Sequence, residues 1–76
     1  MIDITIMTPK GVLHEGEVET IAIPGDRGDF EILQFHKPII SRLRRGEIVL
    51  DWKQRIPVSG GIVRVHRDEV VVLIEQ

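Results

Sequence analysis

Pro24-Gly25-Asp26-Arg27-Gly28-Asp29-Phe30-Glu31-Ile32-Leu33-Gln34-Phe35-His36-Lys37-Pro38-Ile39-Ile40-Ser41-Arg42-Leu43 decides how this chain reads. Two glycines and two prolines break it into short apolar runs, and Asp29 and His36 stand seven residues apart. Glycine is free to take φ > 0 and proline presets φ, so Pro24–Gly28 and Phe35–Pro38 read as turns. Only Phe30–Leu33 and Ile39–Leu43 remain between them, each the length of a short strand.

The same rhythm extends to both ends. Ile2, Ile4 and Ile6 alternate with Asp3, Thr5 and Met7, the period of a strand with one buried face. Thr8-Pro9-Lys10-Gly11 is a turn, Val12–Glu15 a short strand, and Gly16 allows a bend. In Glu17–Ile23 the apolar positions change parity after Val18, which predicts a β-bulge. Glu47–Trp52 alternates again, and Lys53-Gln54 reads as a tight hairpin returning through Arg55–Ser59. Pro57 marks that return as an edge or bulged strand, and Gly60-Gly61 permits close approach or a kink. Ile62–Val65 and Glu69–Glu75 form a last hairpin. Isoleucine and valine supply 21 of 76 residues, whereas alanine occurs once, at Ala22. β-Branched side chains favour strands, and no window has a helical period. The expected fold is all-β, a β-sandwich or flattened barrel of about eight to ten short strands, in a single domain over residues 1–76.

Composition narrows the function. The net charge is −2 with both signs scattered, unlike a basic nucleic-acid binder. The chain contains no cysteine, so neither a disulfide nor a thiolate metal site is available. No apolar stretch approaches the ~20 residues of a helical membrane span. Three histidines are present, but none stands in a His-x-His or His-x-x-x-His spacing. Ser41 and Ser59 lie outside any Gly-x-Ser-x-Gly, and no Gly-x-x-x-x-Gly-Lys phosphate loop occurs. No catalytic residue, cofactor or metal is expected. Arg42-Leu43-Arg44-Arg45 is the only basic cluster, and no aromatic residues interleave it to stack bases. Val70-Val71-Val72-Leu73-Ile74 is apolar at five consecutive positions. A strand with one face in solvent should alternate, so a loop or a partner is expected over its second face.

Thr8-Pro9 with Gly11, Glu15-Gly16-Glu17-Val18, Ile23-Pro24-Gly25, Gly28-Asp29-Phe30, His36-Lys37-Pro38-Ile39-Ile40 and Val58-Ser59-Gly60-Gly61-Ile62 follow one another along nearly the whole chain. In order and spacing this series resembles the N-terminal β-sandwich of the ε subunit of rotary ATP synthases. The family usually has Gly at the position of Glu31, Pro-Gly at Gln34-Phe35, and often Lys-Pro-Gly at Arg44-Arg45-Gly46. The loop before His36 is therefore bulkier here. The chain ends at Gln76 directly after its last strand, so the resemblance implies a short form without the family's C-terminal helical hairpin.

The resemblance implies a non-catalytic rotor subunit of the central stalk, linking the γ subunit to the c-ring. It also implies a peripheral location on the cytoplasmic face of the bacterial inner membrane. Asp29 and His36 match the family's c-ring contacts, with Phe30 and Phe35 shaping the loops that present them. The two-faced strand and the Ile39-Ile40 pair point to a γ contact through Ile39, Ile40, Ser41, Val70 and Val72. The rival reading is a free-standing small β-barrel that binds a ligand or nucleic acid.

Overall fold

A computed structural model describes residues 1–75. The chain forms nine strands: β1 (Ile2–Thr8), β2 (Gly11–Val18), β3 (Ile21–Ile23), β4 (Phe30–Ile32), β5 (Ile39–Leu43), β6 (Gly46–Leu50), β7 (Gln54–Val58), β8 (Gly60–His66) and β9 (Glu69–Glu75). They pair into a five-stranded sheet, β2-β1-β9-β8-β5, and a four-stranded sheet, β4-β3-β6-β7. All neighbours are antiparallel except β1 and β9, which run parallel with Asp3 opposite Glu69 and Met7 opposite Leu73.

Period-2 alternation builds the core directly. Ile2, Ile4, Ile6, Val63, Val65, Val70, Val72 and Ile74 point inward from the larger sheet. Ile21, Ile23, Ile32, Ile48, Leu50, Ile56 and Val58 meet them from the smaller one. Each such side chain contributes about 1.5–3 kcal/mol when fully buried. No aromatic ring is fully buried among the described residues; Phe30 and Ile39 pack only on the rim. Pro57 lies on β7, an edge strand, where the missing N–H breaks no central ladder.

Two turns differ from expectation. The parity change in Glu17–Ile23 is a crossing between sheets. β2 runs straight through Gly16 to Val18, and β3 starts at Ile21 in the other sheet. Glu19 and Thr20 make the corner, and both their N–H groups donate to Asp51 Oδ1, at 2.6 and 3.2 Å. The bulge lies elsewhere, where Ile6 faces His14 but Met7 faces Val12, leaving Leu13 unpaired.

The β6–β7 hairpin turns at Asp51-Trp52 rather than at Lys53-Gln54. Both turn residues have φ > 0, at 51° and 59°, and Lys53 N–H donates to the Leu50 carbonyl at 3.0 Å. These are the features of a type I′ turn, whose right-handed twist suits a hairpin. An exposed indole at a left-handed position adds strain of about 1–2 kcal/mol. Trp52→Gly is therefore expected to stabilise the chain by about 0.5–1 kcal/mol, a rise of roughly 3–6 °C in Tm. A lower Tm would mean that indole contacts outweigh the backbone strain.

Candidate functional site

The first candidate surface lies along β4 and β5, the edge strands of the two sheets on one side of the sandwich. After β3 the chain leaves the small sheet and lies beside β5. Gly25 bridges to Leu43, Asp26 N–H donates to the Arg42 carbonyl, and Arg44 N–H donates to the Pro24 carbonyl, each of these two bonds at 2.9 Å. A Cβ at Gly25 would stand 2.6 Å from the Gly28 carbonyl oxygen and 2.8 Å from Phe30 Cε1. Glycine there lets the Phe30 ring close over the loop.

Phe30 brings the predicted ring-contact residues together. Asp29 is its neighbour in the chain, and the His36 ring sits 6.4 Å from its own, tilted by 34°. His36 Nδ1 lies 2.7 Å from the Lys37 carbonyl. A carbonyl only accepts, so Nδ1 carries the proton, and in the neutral ring Nε2 is an acceptor. Asp29 pairs with Arg44, a partner the sequence did not suggest, with the two side chains 70 % and 47 % exposed. A pair this open is worth at most about 1 kcal/mol, so another cation can compete for the carboxylate. Phe35 stands 83 % exposed on the same loop. Ile39 is half-buried against the core, while Ile40 on β5 is 75 % exposed.

Val70 and Val72 do not join this surface. Both are buried between the sheets, at 1 % and 0 % exposure. The outward residues of β9 are Val71 and Leu73, so any contact through that strand's outer face belongs to them. The run reads as two-faced because β9 is a central strand whose outer face is also apolar.

That outer face is the second candidate surface. The register places Val12, Met7, Leu73 and Ile62 side by side on β2, β1, β9 and β8. Val12, Leu73 and Ile62 are exposed and Met7 is partly so. Val71 lies in the next row, facing Thr5 and Arg64, and Arg64 in turn faces Ile40. An apolar row thus crosses four strands and ends at Arg42 on β5, opposite Ile62; Glu15 and Arg64 stand in the next row, and Glu17 and Glu69 in the row beyond it. The row was hidden in the sequence because its members come from strands far apart in the chain. The outer face of the smaller sheet differs, carrying Glu31, Glu47 and Arg55, with Arg55 paired to Glu47 at 3.3 Å.

The sandwich thus presents one apolar outer face and one loop-built charged edge. The family model for the ATP synthase delta/epsilon chain β-sandwich domain matches residues 1–76, and the chain belongs to that family. It is 32 % identical over 77 residues to the ATP synthase epsilon chain of Campylobacter jejuni strain 81-176, covering 96 % of this chain and 60 % of the relative. It is 31 % identical to the epsilon chain of Sulfurimonas denitrificans, over 97 % of this chain and 60 % of that one. The chain thus spans about three-fifths of the length of the curated relatives it matches. The same fold occurs in the mitochondrial ATP synthase of Euglena gracilis, with TM-score 0.87 and 18 % identity over 99 % of this chain and 51 % of the other. It occurs too in the central stalk/c-ring structure of the Tetrahymena thermophila enzyme, with TM-score 0.82 and 14 % identity over 99 % and 63 %.

Proposed function

We propose that this chain is a non-catalytic rotor component of a proton-translocating ATP synthase. The outer face of the five-stranded sheet docks on the central-stalk γ subunit. The β4–β5 edge, through Asp29 and His36, meets the polar loops of the c-ring, and Ile39, Ile40 and Ser41 border both contacts. The complex then holds the chain at the cytoplasmic face of the bacterial inner membrane. The observation that carries this reading is the exposed row Val12–Met7–Leu73–Ile62 on a member of this family. A contiguous apolar patch rimmed by charges is the signature of a covered surface.

The mechanics fit the part. Each elementary charge crossing ~100 mV releases about 2.3 kcal/mol, so a link between ring and stalk must not slip under several such steps. Interfaces above about 1,000 Å² on a stiff sandwich meet that demand.

The test uses two variants in the assembled complex. Ile62→Glu with Leu73→Lys changes only outward side chains, so the chain is expected to stay folded while its affinity for γ falls at least about thirtyfold. Asp29→Lys is expected to keep γ and lose the ring, with proton pumping uncoupled from ATP hydrolysis. Unchanged co-purification of γ with the first variant, or of the ring with the second, would remove the corresponding contact from this account.

A further inference from the structure

Leu33–His36 is a four-residue turn in which His36 N–H donates to the Leu33 carbonyl at 3.2 Å. Its third residue, Phe35, has φ of 67°. A type II turn needs a positive φ at that place and normally takes glycine or asparagine, because a left-handed backbone presses Cβ against the following carbonyl. This chain keeps the turn but seats a phenylalanine in it. The other non-glycine residues with positive φ are Asp51, Trp52 and Arg67, all in the hairpin turns β6–β7 and β8–β9. Phe35 alone is in a loop between the two sheets.

Its ring is 83 % exposed and so adds almost nothing to the core. The residue thus costs the free domain backbone strain and leaves an aromatic face in water. Neither makes sense for the isolated chain, and both make sense if the ring is buried against something else. The next residue, His36, packs on Phe30 beside Asp29. Phe35 therefore stands in the turn that delivers His36 to the edge carrying the exposed carboxylate.

We infer that Phe35 is the aromatic anchor of the c-ring contact, setting which ring this chain accepts. Its exposed ring is desolvated when the β4–β5 edge docks, while a cation of the partner takes Asp29 from its open pair with Arg44. Large, rigid aromatic side chains in a desolvated centre are the usual carriers of such contacts, and the charged residues around them act as a rim. This inference rests on the reading of the β4–β5 edge as the ring-facing one.

The experiment compares wild type, Phe35→Gly, Phe35→Asn and Asp29→Lys in the full chain. It measures thermal unfolding, affinity for the purified c-ring and sedimentation. Glycine and asparagine both tolerate the turn, so Tm is expected to rise by about 3–5 °C. Affinity for the ring is expected to fall at least tenfold in the same two variants. A merely structural Phe35 would lower Tm and leave affinity within twofold, which overturns the inference. If Asp29→Lys releases the ring while Phe35→Gly does not, the anchor assignment fails and the edge reading stands. If neither releases it, the edge reading fails and takes the anchor with it. A wild-type dimer that Phe35→Gly dissociates would make a second copy the occupant and also overturn the inference.

Discussion

Replacing Gly61 by alanine is expected to unfold the chain at 37 °C, whereas the same change at Gly60 leaves it folded. Gly61 has φ of 146° and lies between β9 and β5, opposite Ile74 on one side and Leu43 on the other. A Cβ at this position would stand 2.1 Å from the Leu73 carbonyl oxygen and 3.0 Å from Ile74 Cα. Both obstacles are backbone, so no side chain can swing aside. The β8–β9 ladder must open, and with it the centre of the larger sheet. The positive φ adds about 1–3 kcal/mol of strain, and the total loss is expected to exceed about 4 kcal/mol, the range reserved for named structural failures. A domain of this size has roughly 4–11 kcal/mol to lose. At Gly60 the nearest atom would be 3.7 Å away, an ordinary contact. Circular dichroism melts of the two variants check the pair, and equal melting of both would show that the sheet yields more easily than its backbone contacts imply.

Asp51→Ala is expected to cost about 2–4 kcal/mol, a fall of roughly 10–20 °C in Tm. Its Oδ1 accepts the N–H groups of Glu19 and Thr20 at the corner between the sheets, and its own N–H donates to the Thr20 carbonyl at 3.0 Å. Thr20 is buried at 4 % exposure, so removing the carboxylate strands a donor away from water. Alanine also tolerates φ of 51° poorly. Asp51→Asn keeps one acceptor oxygen and accepts the left-handed backbone, so its loss is expected near 1 kcal/mol. Similar losses in both variants would shift the weight from the hydrogen bonds to the charge.

These sites mark where the sequence is legible and where it is not. The inward faces of β1, β6 and β9 follow from alternation alone, because period 2 is a property of neighbours in the chain. Gly60-Gly61 announced a close approach, and Pro57 announced an edge. Asp51-Trp52 gave only half such a signal, since Asp is a usual first residue of a turn with two positive φ values but Trp is not a usual second one. What fixes that turn is a bond to Glu19 and Thr20, some thirty residues earlier. The parity change after Val18 was visible but ambiguous, because a bulge and a change of sheet leave the same trace in one dimension. The candidate site divides in the same way. Asp29, Phe30 and His36 were recognisable from motif order, and the fold gathers them around one ring. The Arg44 pairing and the row Val12–Met7–Leu73–Ile62 depend on register between distant strands, which pattern along the chain does not encode.

The parallel pairing of β1 with β9 has a consequence for biosynthesis. β1, the first of the domain's strands to be made, has its lasting neighbour in β9, the last of them, and β9 takes a central place between β1 and β8. Until Glu69–Glu75 emerges, β2 with β1 and β8 with β5 are two fragments of a sheet with an open seam. Unpaired, apolar strand edges therefore persist through most of the domain's synthesis, and closing the seam means joining residues as far apart as Asp3 and Glu69. Long-range pairing of this kind is slow and exposed to misassociation. The domain completes in one late step, once β9 has been made.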